Sequence, residues 1–224
     1  FESWPYIFAS VVLHLGYHLF LVKAYVYGDL GQVYPIARGI SPLLLGFITV
    51  FWIGEELTLQ VMSAIGLISL GIFSLMFPGK MSIKYTFRPI IYALATGCFI
   101  AAYTLADGVG VRASGNAASY VLWLMALECL PLLGITLILR KRAVFSSIHK
   151  NWKYAVPGGF LSLSAYWIVI WAMQHAPIAL VSAIRESSVV IAALMSIWVL
   201  KEETTVKHLL SAVMVAAGVI LTQL

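Results

Sequence analysis

Eight apolar runs, each close to the length that crosses a lipid bilayer as a helix, occupy nearly all of this 224-residue chain. An apolar span of about 20 residues suffices for one crossing. The runs fall at about 4–26, 31–53, 58–77, 88–110, 116–139, 153–174, 177–200 and 205–223. Gly, Pro or charge clusters separate them, among them Gly28-Asp29-Leu30-Gly31, Pro78-Gly79-Lys80 and Arg140-Lys141-Arg142. None alternates in the manner of a barrel strand. Composition agrees: 62% of residues are hydrophobic and 10% charged, against roughly 25% charged in a soluble domain. An ordinary soluble enzyme is excluded, and the expected fold class is all-α integral membrane, a polytopic helical bundle of about eight visible transmembrane helices.

The net charge of +5 does not point to nucleic acid, because most Lys and Arg fall between the apolar runs. Threading the helices alternately through the bilayer puts Lys80, Lys84, Arg88, Arg140, Lys141, Arg142, Lys150, Lys153, Lys201 and Lys207 on one side. Only Arg112 lies on the other. Short basic loops stay in the cytoplasm, so Arg112 and the C-terminus are expected outside. Cys98 and Cys129 lie within apolar runs and read as small hydrophobes rather than a disulfide.

An internal repeat organises the chain. Shifted by 147 positions, YGDLGQVYPIARGISPLLLGFITVFWIGEELT from Tyr27 aligns without a gap on QHAPIALVSAIRESSVVIAALMSIWVLKEETT from Gln174. Arg38 falls on Arg185, Ser41 on Ser188, Glu55 and Glu56 on Glu202 and Glu203, Thr58 on Thr205, and Gly71 on Gly218. Polar matches in one register favour duplication over coincidence. The related helices are five apart, so they cross the membrane in opposite directions. Such an inverted five-plus-five repeat is the plan of many secondary transporters, whose sites lie near the midplane. Ten helices are then expected in all, with the first two preceding Phe1 and missing here. Residues 1–77 become the last three helices of one repeat, 78–87 a basic linker and 88–224 the second repeat.

The segments PIARGISPLLLGFITVFWIGEELT, AIRESSVVIAALMSIWVLKEETT and YALATGCFIAAYTLADGVGVR resemble the EamA-like families of the drug/metabolite transporter superfamily. That resemblance implies an exporter of small metabolites, with amino acids and related amphipathic compounds first and drug-like compounds behind. It also implies alternating access in a multi-pass protein of the cell membrane.

Ionisable residues at membrane depth are functional candidates by default. Arg38 and Arg185 lie about seven and eight residues into their helices, roughly 10–12 Å along the axis. Entering from opposite faces, they could converge on an anionic substrate group, since Arg offers a planar fork; alternatively each snorkels or pairs with a carboxylate. Glu186 follows Arg185, and neighbouring helical residues diverge by about 100°, so a compact pair between them is not expected. Glu128, His14 and His18 are candidates for proton coupling, although Glu128 fits a structural role somewhat better. The i, i+4 histidines could hold a metal, but no third ligand is visible, the run HLGYH lacks a zinc-protease Glu, and hydrogen-bonded cavity histidines fit better.

Tyr166 and Trp167, deep in their span, are candidate substrate contacts. Pro35, Gly39 and Pro42 are candidate hinges, and Pro157-Gly158-Gly159 is expected to open the helix before the second repeat helix. Close packing explains such small residues equally well. The acidic pairs at helix ends suggest caps or solvated contacts. No phosphate loop, Cys-x-x-Cys or Gly-x-Ser-x-Gly motif is present, so no cofactor or metal is expected. The expected partners are a small-molecule substrate, the lipid bilayer and, in a homodimer, a second copy of the chain, but not nucleic acid. Two other readings stay open: an intramembrane enzyme using Glu128, His14 and His18 on a lipid-borne substrate, and a passive channel or non-transporting scaffold.

Overall fold

The computed structural model describes residues 2–28, 30–75, 87–141, 143–189, 191 and 206–222. In chain order the helices are α1 (Trp4–Tyr27), α2 (Leu30–Ile48), α3 (Leu59–Ser74), α4 (Phe87–Ser114), α5 (Ala117–Arg140), α6 (Ala143–His175), α7 (Ile178–Glu186) and α8 (Val206–Leu221). A π-helical turn, Thr49–Ile53, continues α2. No strand occurs among the described residues.

Among the described residues, five stretches are long and apolar enough to cross a membrane: Trp4–Tyr27, Val33–Ile53, Phe87–Ser114, Ala117–Arg140 and Lys150–His175. Two shorter apolar helices, Leu59–Ser74 and Leu210–Leu221, accompany them. Side chains such as Phe51, Trp52, Leu59, Ile138 and Leu139 are largely exposed, as lipid-facing positions must be. The chain is therefore an all-α multi-pass membrane protein.

Local signals set the helix ends. Thr58 caps α3 by accepting from Val61 N–H at 3.2 Å, and Asn116 caps α5 by accepting from Ser119 N–H at 3.0 Å. Gly54 ends the π turn at φ 74°, in the left-handed region that glycine occupies without a Cβ penalty. One boundary differs from the sequence reading. Helix α6 begins at Ala143 rather than near 153, so Pro157 lies within a continuous helix instead of opening one. The second half of the run at 177–200, the linker at 78–86 and the repeat partners Glu202, Glu203 and Thr205 lie outside the described residues.

Helix α4 is the centre of the bundle, packing along α1 and α2 and touching α5, α6 and α7. Gly97 permits its close approach to α2: a Cβ there would lie 2.1 Å from Ile40 Cγ2 and 2.9 Å from the Ala37 carbonyl oxygen. Helices α3 and α8 pack on each other reciprocally. A Cβ at Gly71 would meet Val215 and the Ser211 carbonyl, and one at Gly218 would meet Ile68 and the Ala64 carbonyl. The 147-residue shift carries Gly71, Ile68 and Ala64 onto Gly218, Val215 and Ser211. Each contact is thus the image of the other, the pattern a two-fold relation produces.

Gly97→Val should destabilise the protein by about 1–3 kcal/mol, because a rigid backbone carbonyl blocks the added carbons. Gly66→Ala, where a Cβ meets nothing within 4 Å, should not. Thermal unfolding in detergent distinguishes them; equal melting of the two variants would contradict the tight α2–α4 contact.

Candidate functional site

Glu186, fully buried at the end of α7, holds two guanidinium groups. Arg38 of α2 donates from Nη1 to both carboxylate oxygens at 3.3 and 3.2 Å. Arg185 donates to Oε1 from Nε at 3.1 Å and from Nη2 at 2.9 Å. Its Nη2 also reaches Thr104 Oγ1 of α4 at 3.5 Å. The side chains of Arg38 and Arg185 are 23% and 14% exposed, so these charges sit inside the bundle. The expectation that Arg185 and Glu186 form no compact pair is corrected: the long Arg side chain curls back across the 100° between them.

With Glu186 ionised, the three groups carry one net positive charge. Tyr34 lies under Arg38, with the guanidinium 5.4 Å from the ring centre. Pro42 lacks the N–H that would bond the Arg38 carbonyl, leaving that oxygen without its usual helical donor.

A second polar cluster lies one turn further along α4. Asp107, fully buried, accepts from Tyr120 Oη of α5 at 3.0 Å and from Tyr166 Oη of α6. The Ser10 hydroxyl of α1 also stands near it. Ser10 in turn contacts His14, whose Nδ1 lies 3.1 Å from Ser10 Oγ and 3.0 Å from the Ser10 carbonyl oxygen. His14 stacks on Tyr103, ring centres 3.9 Å apart. His18 donates from Nδ1 to the His14 carbonyl at 2.7 Å, and Nδ1 stands 3.9 Å from Glu128 Oε1.

At the end of the bundle where α4 stops, an ionic clasp joins four elements. Arg112 Nη2 lies 2.7 Å from Glu55 Oε1, just beyond the π turn. Arg112 also donates to the Met173 and Ala176 carbonyls at the end of α6, at 3.0 and 2.9 Å. The Glu55 carboxylate accepts from Ile178 N–H, at 3.2 and 3.1 Å, capping the start of α7. A cavity of about 330 Å³ opens beside the clasp, lined by Glu55, Glu56, Arg112, Gln174 and His175 among others.

The candidates from the sequence therefore separate. Arg38 and Arg185 meet around Glu186. Tyr166 belongs to the Asp107 cluster, next to His14, while His18 and Glu128 pair at its edge. Trp167, rotated about 100° from Tyr166, is half exposed in a shallow groove with Ser164, Ile168 and Trp171. Pro35, Gly39 and Pro42 lie in a helix that runs on through all three, with Gly39 against the Phe73 ring. No cluster of three or more metal-ligating side chains occurs among the described residues.

Asp107, Thr104 and Ser10 escaped the sequence reading. A span ending near 110 leaves Asp107 close to the interface, whereas α4 continues to Ser114 and buries it. The signal was present, since Asp107 is an acidic residue in an apolar run and the rule that found Glu128 applies to it too.

Charge arithmetic ranks two substitutions. Arg38→Gln leaves a neutral Arg185–Glu186 pair, whereas Glu186→Gln leaves two buried guanidiniums without a counter-charge. Breaking a buried ion pair from one side costs about 3–5 kcal/mol, so Glu186→Gln should melt well below Arg38→Gln in detergent. The reverse order would show that Glu186 is not the keystone of the cluster.

The profile of the EamA-like transporter family matches residues 87–224, from the first residue of α4 onward and well over half of the chain. No curated protein matches. Among solved structures, one described only as the crystal structure of a protein aligns with a TM-score of 0.74 at 17% identity. The alignment covers 99% of this chain and 78% of that one, a likeness of fold alone. The chain belongs to the EamA-like transporter family, part of the drug/metabolite transporter superfamily, whose members move solutes across membranes rather than transform them.

Proposed function

We propose that this membrane transporter is a secondary carrier of the cell membrane that exports small amphipathic metabolites bearing a carboxylate, amino acids foremost. The observation that carries the reading is the Arg38–Glu186–Arg185 cluster: one carboxylate shared by two guanidiniums on two helices. A substrate carboxylate offers the same bidentate geometry as Glu186 and can take over part of either guanidinium's hydrogen bonding. The net positive charge favours a monoanionic group, while Tyr34 supplies a flat surface for an apolar side chain.

Alternating access needs a site that each face can reach in turn, and helices that separate on one face while closing on the other. The reciprocal α3–α8 packing supports a two-fold relation between the halves. The Arg112–Glu55 clasp gives the face that carries Arg112 a lock between α2 and the second half. In this reading outward release breaks that lock.

Counterflow tests the proposal. Proteoliposomes loaded with pooled L-amino acids should show saturable exchange by mass spectrometry. Arg185→Ala should raise the half-saturating concentration about 10–100-fold, the loss expected for a charge-assisted contact of about 1.5–3 kcal/mol. The decarboxylated amine of the exchanged compound should not compete. Exchange with unchanged affinity in Arg185→Ala would remove the assigned role of the cluster, and no exchange by folded protein would remove the amino-acid reading.

A further inference from the structure

Among the described side chains two carboxylates, Glu186 and Asp107, are fully buried and two others, Glu55 and Glu128, nearly so, and they differ in their partners. Glu186 has Arg38 and Arg185, and Glu55 has Arg112. Asp107 has only hydroxyls: it accepts from Tyr120 and Tyr166, and Ser10 stands nearby. A buried carboxylate without a cation is neutralised most readily by a proton.

The hydrogen bonds around it have a direction. A carbonyl oxygen only accepts, so the 3.0 Å contact of His14 Nδ1 with the Ser10 carbonyl requires a proton on Nδ1. The same N–H therefore points also at Ser10 Oγ, which becomes an acceptor and is free to donate to Asp107. The line His14 Nδ1–H, Ser10 Oγ–H, Asp107 carboxylate is oriented for a proton to move inward.

We propose that Asp107 is the proton-carrying group of this transporter, charged through His14 and Ser10. The proposal rests on the carrier reading above. In the charging step, His14 as an imidazolium passes its Nδ1 proton to Ser10 Oγ while the Ser10 hydroxyl proton passes to Asp107. His14 ends neutral, Asp107 ends as a carboxylic acid and Ser10 is unchanged; discharge runs the same groups in reverse. Glu128 of α5 and His18 of α1, both partly exposed, supply the outer end of the path. Glu128 lines a shallow cavity of about 400 Å³ with Met125, Cys129, Leu132, Leu133 and Thr136.

The groups facing Asp107 and His14 come from every helix packed on α4. They are Ser10, His14 and His18 from α1, Tyr120 and Glu128 from α5, Tyr166 from α6, and Arg185 with Glu186 from α7. Arg38 of α2 acts at longer range through Glu186. The link to the substrate site is short: Thr104, one turn before Asp107, contacts Arg185, and Tyr103 stacks on His14. An ionised Asp107 attracts Arg185 and competes with the substrate anion for that guanidinium, whereas a protonated Asp107 leaves it to Glu186 or substrate.

The test uses the intact chain in proteoliposomes, with the twenty L-amino acids as probe and two readouts. Infrared difference spectra over a pH series should show the C=O stretch of a buried carboxylic acid that Asp107→Asn lacks and Glu128→Gln retains. The ratio of pH-gradient-driven accumulation to counterflow should fall about tenfold or more in Asp107→Asn and in Ser10→Ala; a purely structural role would lower both rates together. If Asp107→Asn does not fold, Ser10→Ala, which keeps the carboxylate, carries the test. A carboxylic band unchanged in Asp107→Asn, or a wild-type ratio in Ser10→Ala, overturns the proposal. Wild-type protein without counterflow but with the band confined to Asp107 removes the amino-acid carrier reading and supports the proton site.

Discussion

One carboxylate holding two guanidiniums inside a bilayer-sized bundle is the interaction on which the arrangement turns. Hydrocarbon offers no water to solvate a cation, so Arg38 and Arg185 can be interior only because Glu186 is there. That requirement draws α2 and α7 together and sets Arg185 against α4 through Thr104. The residue aligned with Glu186 in the first half is Gly39. The two aligned segments therefore share the Arg and differ in the counter-ion, and the unequal count leaves the cluster cationic. A Glu at position 39 would cancel that charge and occupy the space in which Gly39 meets the Phe73 ring.

The helical spans and the two interior arginines were legible in the sequence because each departs from its surroundings along the chain itself. A 20-residue apolar run is a membrane span whatever it packs against, and a charge within one is conspicuous without any partner known. Partnerships were not legible. The 100° between neighbouring helical residues separates Cβ directions but not the far end of an arginine, which reaches Glu186. Arg112 read as a topological marker, yet it binds Glu55 from 57 positions away and closes the end of α6. Asp107 depended on where α4 stops, and a shift of a few residues there separates an interfacial carboxylate from a buried one. Trp167 and Tyr166 were equivalent by depth, and only the helix's rotation separates them.

The polar groups form three layers with different tolerance for motion. The clasp at the end of α4 combines an ion pair with a helix cap, so parting Glu55 from α7 exposes a helix N-terminus as well as a charge. Its partners are about a third and a tenth exposed, at 34% for Arg112 and 9% for Glu55, and water can take over each contact as it opens. In the other cluster the Glu186 carboxylate, fully buried, has no such substitute. Separating the cluster's members without replacement leaves charge in a low-dielectric interior, at a cost of several kcal/mol per ion.

In the proposed carrier that difference assigns the order of events. The end of the bundle can open while the cluster stays intact, because solvent compensates the clasp. The cluster can rearrange only as another anion, or a proton, takes over the charge that is released. Movement of α2 against α7 is then tied to occupancy of the site, so an empty carrier cannot part its arginines from Glu186 cheaply. A bundle whose interior charges were individually solvated would have no such barrier and would leak. Confining the shared carboxylate to the dry centre and the replaceable ion pair to the wet end therefore joins opening at one face to exchange at the middle.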